Sequence, residues 1–126
     1  MKYILFYKPY AVLSQFSPVS GKKNLRDFLS LSSDIYPVGR LDYDSEGLLL
    51  LTNDNTIKHK LTDPQFDHPK TYLVQIERVP DTVSLERLRN GVIIESKRTK
   101  PAIVDLLSDA PVVPPRSTPI RFRKNV

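Results

Sequence analysis

A run of four leucines at positions 48–51 constrains the fold most, because these side chains have to be removed from water. Turn-forming residues bound the run on both sides, with Gly47 before it and Asn53 after it. A fully apolar segment this short, between two turns, is typical of a buried β-strand and not of a helix. A polar segment, residues 39–47, leads directly into it. We therefore expect a buried strand with polar groups at its entrance.

The remaining elements are short strands and short helices. Helices are expected to begin at Asn24, at Asn53 or Asn55, and at Asp81. Gly91 is placed to end the last of these helices. Strands are expected at residues 2–7, 35–38, 70–77, 92–95, 102–107 and 120–124, and residues 70–77 show the cleanest alternation of apolar and polar side chains. These elements predict an α+β fold with a mainly antiparallel or mixed sheet and short helices, in one domain over residues 1–126.

The charge balance bears on the kind of partner. The chain carries 19 Lys and Arg residues against 14 Asp and Glu residues, a formal net charge of +5. Such an excess favours polyanionic partners, such as nucleic acids, through counterion release. A basic surface that contacts only solvent is the alternative, and composition does not separate the two. The basic residues concentrate in two groups with aromatic neighbours: Lys8, Lys22, Lys23 and Arg26, then Arg116, Arg121, Arg123 and Lys124.

Residue types and spacing argue against a metal centre. The chain has no cysteine, which excludes disulfides and thiolate metal sites. His59 and His68 are nine residues apart, a spacing that does not fit a zinc site. The acids of residues 42–47 resemble the start of a calcium loop, but leucines occupy positions seven to ten of that loop and Asn53 occupies position twelve. No metal is expected.

The apolar segments are too short for a membrane span or an export signal. No stretch approaches the ~20 apolar residues that cross a bilayer. The first apolar segment is too short for the core of a secretory signal, and no small-residue cleavage site follows it. The sequence therefore predicts no membrane association and a cytoplasmic location.

The polar segment before the leucine run contains the candidate catalytic groups. Asp42, Asp44 and Glu46 alternate there, and Arg40 precedes them. A carboxylate at the rim of a core can have its geometry and pKa fixed by partial desolvation and by a neighbouring arginine. The alternative is that these are ordinary turn acids paired with Arg40, and spacing alone favours that alternative.

Residues 38–54 resemble the signature of the pseudouridine synthases that modify ribosomal RNA. The family hallmark is Gly-Arg-Leu-Asp followed by Ser-Glu-Gly-Leu-Leu, and residues 39–42 and 45–49 match it without gaps. Residues 8–14 resemble the family's first strand and following loop, and residues 70–72 resemble its Lys-x-Tyr element. The resemblance covers essentially the whole chain. It implies a pseudouridine synthase-like catalytic domain.

The resemblance also implies an activity and roles for five residues. The reaction is cofactor-independent isomerisation of a specific uridine to pseudouridine in ribosomal RNA, expected in the large subunit. Asp42 is then the catalytic carboxylate, and covalent addition to the sugar and removal of its 2′ proton both stay open for it. Arg40 is expected to enter the RNA stack, or else to be a surface arginine. Tyr72 is expected to pack on the uracil, or else to lie in the core. Lys70 and Lys8 are assigned to RNA binding, and Lys70 is expected either to support the site electrostatically or only to cap its strand.

The chain also departs from the family pattern. A later family block, which supplies an arginine partner for the aspartate, has no match in residues 120–126. We therefore expect a catalytic domain that lacks its C-terminal part and has no separate N-terminal RNA-binding domain. Ribosomal RNA is the expected partner, with no cofactor and a monomeric state. The alternatives are a non-catalytic RNA-binding module or inactive fragment, and a protein-interaction fragment that pairs through an open sheet edge.

Overall fold

The computed structural model describes residues 1–121. The chain forms two compact units, Met1–Thr71 and Tyr72–Val126. The first unit contains five strands, one helix and two short 3-10 turns, Leu25–Asp27 and Pro64–Phe66. Its strands are β1 (Tyr3–Lys8), β2 (Val12–Leu13), β3 (Lys23–Asn24), β4 (Tyr36–Pro37) and β5 (Gly47–Thr52), and its helix is α1 (Asn55–Thr62).

The main sheet of the first unit has the order β1-β5-β4 and is antiparallel throughout. Tyr3 lies opposite Thr52 at one end of the β1–β5 pair, and Lys8 lies opposite Gly47 at the other. Strands β2 and β3 form a separate parallel pair. The strands expected at residues 2–7, 35–38 and 48–51 are therefore confirmed, with each bound shifted by one residue.

The core of the first unit lies on one face of this sheet. Side chains alternate along β1, so that Ile4 and Phe6 pack against the core while Leu5 and Tyr7 are exposed. The same alternation runs along β5, where Leu48 is 68% exposed. The expectation that the whole leucine run is buried was wrong, because only one face of this antiparallel sheet is covered. The buried members of the core are Leu25, Ile35, Leu49 and Leu51.

Capping residues set the starts of the helical segments in this unit. Asn24 and Asp27 form a capping box around the first 3-10 turn, as expected for Asn24 although the turn spans only three residues. Helix α1 begins at Asn55, one of the two expected starts, but its N-cap is Asp54. The Asp54 carboxylate accepts hydrogen bonds from the backbone N–H groups of Thr56 and Ile57. An ionised side chain also interacts favourably with the positive end of the helix dipole.

The second unit contains one helix and one β-hairpin among its described residues, 72–121. Helix α2 (Thr82–Asn90) begins after the N-cap Asp81 and ends at Gly91, which confirms both expected caps. The hairpin pairs β6 (Ile93–Ile94) with β7 (Lys97–Arg98). Glu95 and Ser96 connect them with φ of 48° and 65°, and positive φ at both positions is what a type I′ hairpin turn requires.

Two expected strands of the second half are absent from the described structure. Residues 70–76 and 102–107 have no regular secondary structure, and Tyr72 and Val74 are 65% and 66% exposed. Alternation favours an extended backbone, but a strand also needs a neighbour that completes its hydrogen bonds. Within residues 1–121 no such neighbour pairs with either segment. Of the strand expected at 120–124, residues 120–121 are not in a strand and the rest lies outside the described residues.

The fold class is α+β, as predicted. Over residues 1–121 it combines short, mostly antiparallel strands with two short α-helices. Among the described residues, neither helix has the length and apolar composition needed to cross a membrane.

Candidate active site

Lys8, at the end of β1, organises the backbone next to the polar loop. Its side chain is fully buried, and its ammonium donates hydrogen bonds to the carbonyls of Pro9 at 2.9 Å and Val12 at 2.8 Å. Ala11 has a φ of 58°, which turns the chain back so that these carbonyls face the ammonium. This placement differs from the surface position expected for an RNA-binding lysine, because both carbonyl contacts hold the ammonium inside the fold.

The acids of the polar loop act electrostatically on Lys8. Burial lowers the pKa of Lys8, since the charged form loses contact with water. Glu46, Asp44 and Asp42, in that order of size, raise the pKa and partly offset this effect. The candidate catalytic carboxylate and the buried ammonium therefore belong to one local charge system.

The backbone on either side of Asp42 is held by hydrogen bonds. The buried Ser14 hydroxyl donates to the carbonyl of Leu41 at 2.9 Å and accepts from the Leu41 N–H at 3.1 Å. On the other side, the Asp42 carbonyl accepts a hydrogen bond from the Ser45 N–H at 3.1 Å. The loop is thus anchored immediately before Asp42 and closed as a turn immediately after it.

The side chains of Asp42 and Arg40 are both exposed. Within residues 1–121, the Asp42 carboxylate makes no hydrogen bond or ion pair. Arg40 likewise forms no ion pair with Asp42 or Asp44 in the described part of the chain. The alternative in which the acids are turn residues paired with Arg40 is therefore not observed for Asp42 or Asp44 within residues 1–121. The partial desolvation expected for Asp42 is not observed either, because its side chain is exposed.

Tyr43, to which the sequence assigned no role, contacts a basic residue. The Lys22 ammonium lies 4.8 Å from the centre of the Tyr43 ring, in a cation–π arrangement. Lys22 is presented by a tight turn in which its N–H donates to the Val19 carbonyl and Gly21 has a φ of 75°. The interleaving of basic and aromatic residues was the available signal, but it did not indicate which lysine meets which ring.

The two remaining predicted site residues lie on exposed backbone. Lys70 is exposed in the first unit, and Tyr72 is exposed in the second. The alternative of a core position for Tyr72 is not observed, because 65% of its surface contacts solvent. Among the described residues, no group of three or more His, Cys, Asp or Glu side chains is arranged to hold a metal ion.

Comparison with known proteins decides the family. A family model described as RNA pseudouridylate synthase matches residues 2–124. The chain belongs to this family. A solved crystal structure of a pseudouridylate synthase matches the fold with a TM-score of 0.75 and 28% identity, covering 85% of this chain and 47% of that one. The predicted pseudouridine synthase-like α+β fold is therefore confirmed.

Pseudouridine synthases of several bacteria are similar to most of this chain or to nearly all of it. Ribosomal large subunit pseudouridine synthase E of Xanthomonas axonopodis pv. citri is 50% identical over 98% of this chain and 65% of its own. The enzyme of the same name from Vibrio parahaemolyticus is 47% identical, over 99% of this chain and 52% of its own. Ribosomal large subunit pseudouridine synthase B of Bacillus subtilis is 42% identical, over 84% of this chain and 44% of its own. The chain thus spans between about half and two thirds of the length of the synthase E relatives.

Proposed function

We propose that this chain isomerises a specific uridine of large-subunit ribosomal RNA to pseudouridine, with Asp42 as the catalytic carboxylate and no cofactor. The observation that carries the proposal is the exposed Asp42 carboxylate on a loop anchored on both sides, in a chain of the pseudouridylate synthase family. A carboxylate that is not paired within the described residues is available to a substrate. Loops held by a rigid scaffold are also where catalytic groups are commonly found.

The chemistry requires one carboxylate and no co-reactant. The N1–C1′ bond of uridine breaks, the uracil turns, and a C5–C1′ bond forms. The proton on C5 is lost and N1 gains a proton, so that substrate and product have the same composition. Asp42 serves either by bonding to C1′ or by removing the 2′ proton, and both routes need an accessible carboxylate next to the sugar.

Three further side chains are proposed to handle the RNA. A stacked and paired base hides the bond to be cut, so the nucleotide has to be extruded. Arg40, exposed two residues before Asp42, is proposed to take the vacated place in the stack. Tyr72 is proposed to pack on the uracil, a contact that contributes roughly 1–3 kcal/mol. Lys70 is proposed to contact phosphate. Lys8 is better suited to hold the backbone at Pro9 and Val12 than to contact RNA, because its ammonium is buried.

The partner, compartment and assembly state follow from the same proposal. Ribosomal RNA is the proposed partner, and the net charge of +5 supports binding to a polyanion. The cytoplasm is the proposed compartment, and a monomer is the proposed assembly state. Residues 1–126 are proposed to belong to one catalytic domain.

Release of tritium tests the reaction directly. Unmodified large-subunit ribosomal RNA labelled at uracil C5 should lose tritium when the protein forms pseudouridine. Asp42→Asn should abolish tritium release while RNA binding persists. Asp44→Asn, two residues further along the same loop, should retain tritium release. Equal release by wild type and Asp42→Asn would contradict the assignment. RNA binding without release by the wild type would favour the alternative of a non-catalytic RNA-binding module.

A further inference from the structure

We infer that Ser14 is a positioning residue for Asp42, an inference that rests on the proposed function of Asp42. A hydroxyl has one donor and two acceptor sites, so a single serine can serve both the N–H and the carbonyl of one residue. Ser14 does this for Leu41, which is 27 residues away in sequence. Only 3% of Ser14 is exposed, so water does not readily replace either bond.

The two hydrogen bonds fix the orientation of both neighbours of Leu41. The Leu41 N–H belongs to the peptide plane shared with Arg40, and the Leu41 carbonyl belongs to the plane shared with Asp42. A hydroxyl bonded to both planes therefore restrains the φ and ψ of Leu41. These two angles set how Arg40 and Asp42 are presented relative to each other.

Ser14 can impose this geometry because it is itself held on both sides. Leu13, before it, pairs with Asn24 in the β2–β3 ladder. The carbonyl of Gln15, after it, accepts a hydrogen bond from the N–H of the fully buried Leu25 at 2.9 Å. Upstream, the Lys8 ammonium holds the carbonyl of Val12. The hydroxyl thus projects from a backbone segment with little freedom to move.

Asp42 depends on this support because, within residues 1–121, its side chain interacts with Lys8 only through charge and has no direct contact that fixes its position. The carboxylate makes no hydrogen bond or ion pair within residues 1–121. Its position is consequently set by the backbone, through the Ser14–Leu41 bonds on one side and the Asp42–Ser45 turn on the other. Catalytic groups lose activity steeply when they are displaced, so a hydroxyl at position 14 should matter to the chemical step.

Kinetics of Ser14 variants test the inference on the same labelled RNA. Ser14→Ala should lower kcat about 10- to 100-fold, the size expected for a shift on the order of 1 Å, and leave KM nearly unchanged. Hydrogen exchange at the Leu41 amide should accelerate in the same variant. Ser17→Ala changes an exposed serine three residues along and should match the wild type in kcat, KM and exchange.

A conservative variant keeps the test decisive if Ser14→Ala does not fold. Ser14→Cys retains a weak donor and acceptor. Its kcat should therefore lie between the wild-type value and the lowered value expected for Ser14→Ala, again with unchanged KM. Wild-type kcat in Ser14→Ala or Ser14→Cys, together with faster Leu41 exchange, would overturn the inference. So would a raised KM at unchanged kcat. Activity in Asp42→Asn would instead remove the proposed function, which separates the two failures.

Discussion

The Lys22 ammonium lies over the ring of Tyr43, the residue that follows Asp42. A second contact of the same kind, Lys58 over the Tyr36 ring at 5.3 Å, occurs elsewhere in the first unit. Tyr36 pairs with Thr52, whereas the Asp42 loop enters β5 at Gly47, so the two contacts mark opposite ends of this strand. Variants of Lys22 and Lys58 can therefore separate the effect of a positive charge near the candidate site from the effect of one elsewhere in the first unit.

Lys22→Gln is expected to weaken RNA binding and to lower its salt dependence. A lysine that neutralises one phosphate contributes about 0.7–0.9 to the slope of log K against log salt. The slope should fall by that amount in Lys22→Gln and stay at the wild-type value in Lys58→Gln. Filter binding across a series of KCl concentrations measures both. Equal slopes in the two variants would show that Lys22 does not contact phosphate.

Lys8→Met is expected to destabilise the first unit. The substitution keeps an unbranched apolar stem but leaves the carbonyls of Pro9 and Val12 without their donor. An unsatisfied buried polar group costs about 1–3 kcal/mol, and a loss of that size should appear as a lower urea midpoint. Lys23→Met replaces an exposed lysine and is the control. If both variants unfold at the same urea concentration, the ammonium contacts contribute no net stability.

Local sequence signals were sufficient where an element depends only on its own residues. The alternation of β1 and the caps Asp81 and Gly91 are examples, because pleating and capping act within a few residues. The strand expected at residues 70–77 is absent. The prediction failed because an alternating pattern indicates an extended backbone but cannot show whether a neighbouring strand completes its hydrogen bonds.

The motif of the candidate site was predictable from the sequence, but the contacts that hold its loop in place were not. The family resemblance pointed to Asp42 and Arg40, and both are exposed on one loop. The burial of Lys8 depends on a turn at Ala11 with positive φ, which an alanine does not signal. The Ser14–Leu41 contact joins residues 27 positions apart, so it required the three-dimensional structure.

The stability of the first unit is expected to depend on pH through Asp54. The Tyr3 hydroxyl donates to the Asp54 carboxylate at 2.6 Å, and this bond, with those from the Ile57 and Thr56 N–H groups, holds the pKa of Asp54 below its usual 3.8. Because the folded-state pKa is the lower one, the stabilisation is present above pH 3.8 and is lost as pH falls through the depressed value.

Tyr3→Phe tests the contribution of that bond. It should lower the urea midpoint at pH 7 and reduce the loss of stability on acidification below pH 3.8, since less of the Asp54 shift remains. Tyr7→Phe removes the hydroxyl of an exposed tyrosine on the same face of β1 and should leave both quantities unchanged. Parallel acid profiles for wild type and Tyr3→Phe would contradict the prediction.

Gly91→Ala is expected to disrupt the second unit more than Gly21→Ala disrupts the first. Both glycines have positive φ, 93° and 75°, so alanine is strained at either position, by about 1 kcal/mol or more. A Cβ at Gly21 meets open space, whereas one at Gly91 would lie 2.5 Å from the backbone oxygen of Thr99. That oxygen cannot move freely, because Thr99 also bonds Val92 through its N–H and its hydroxyl.

Hydrogen exchange, read separately for each unit, measures this difference. Gly91→Ala should deprotect the amides of α2 and of the β6–β7 hairpin, because relief of the clash breaks the Thr99–Val92 bonds that hold the hairpin base. Gly21→Ala should affect only amides of the first unit, and more weakly. Comparable loss of protection in the two variants would mean that backbone conformation alone, and not the approach of Thr99, requires glycine at position 91.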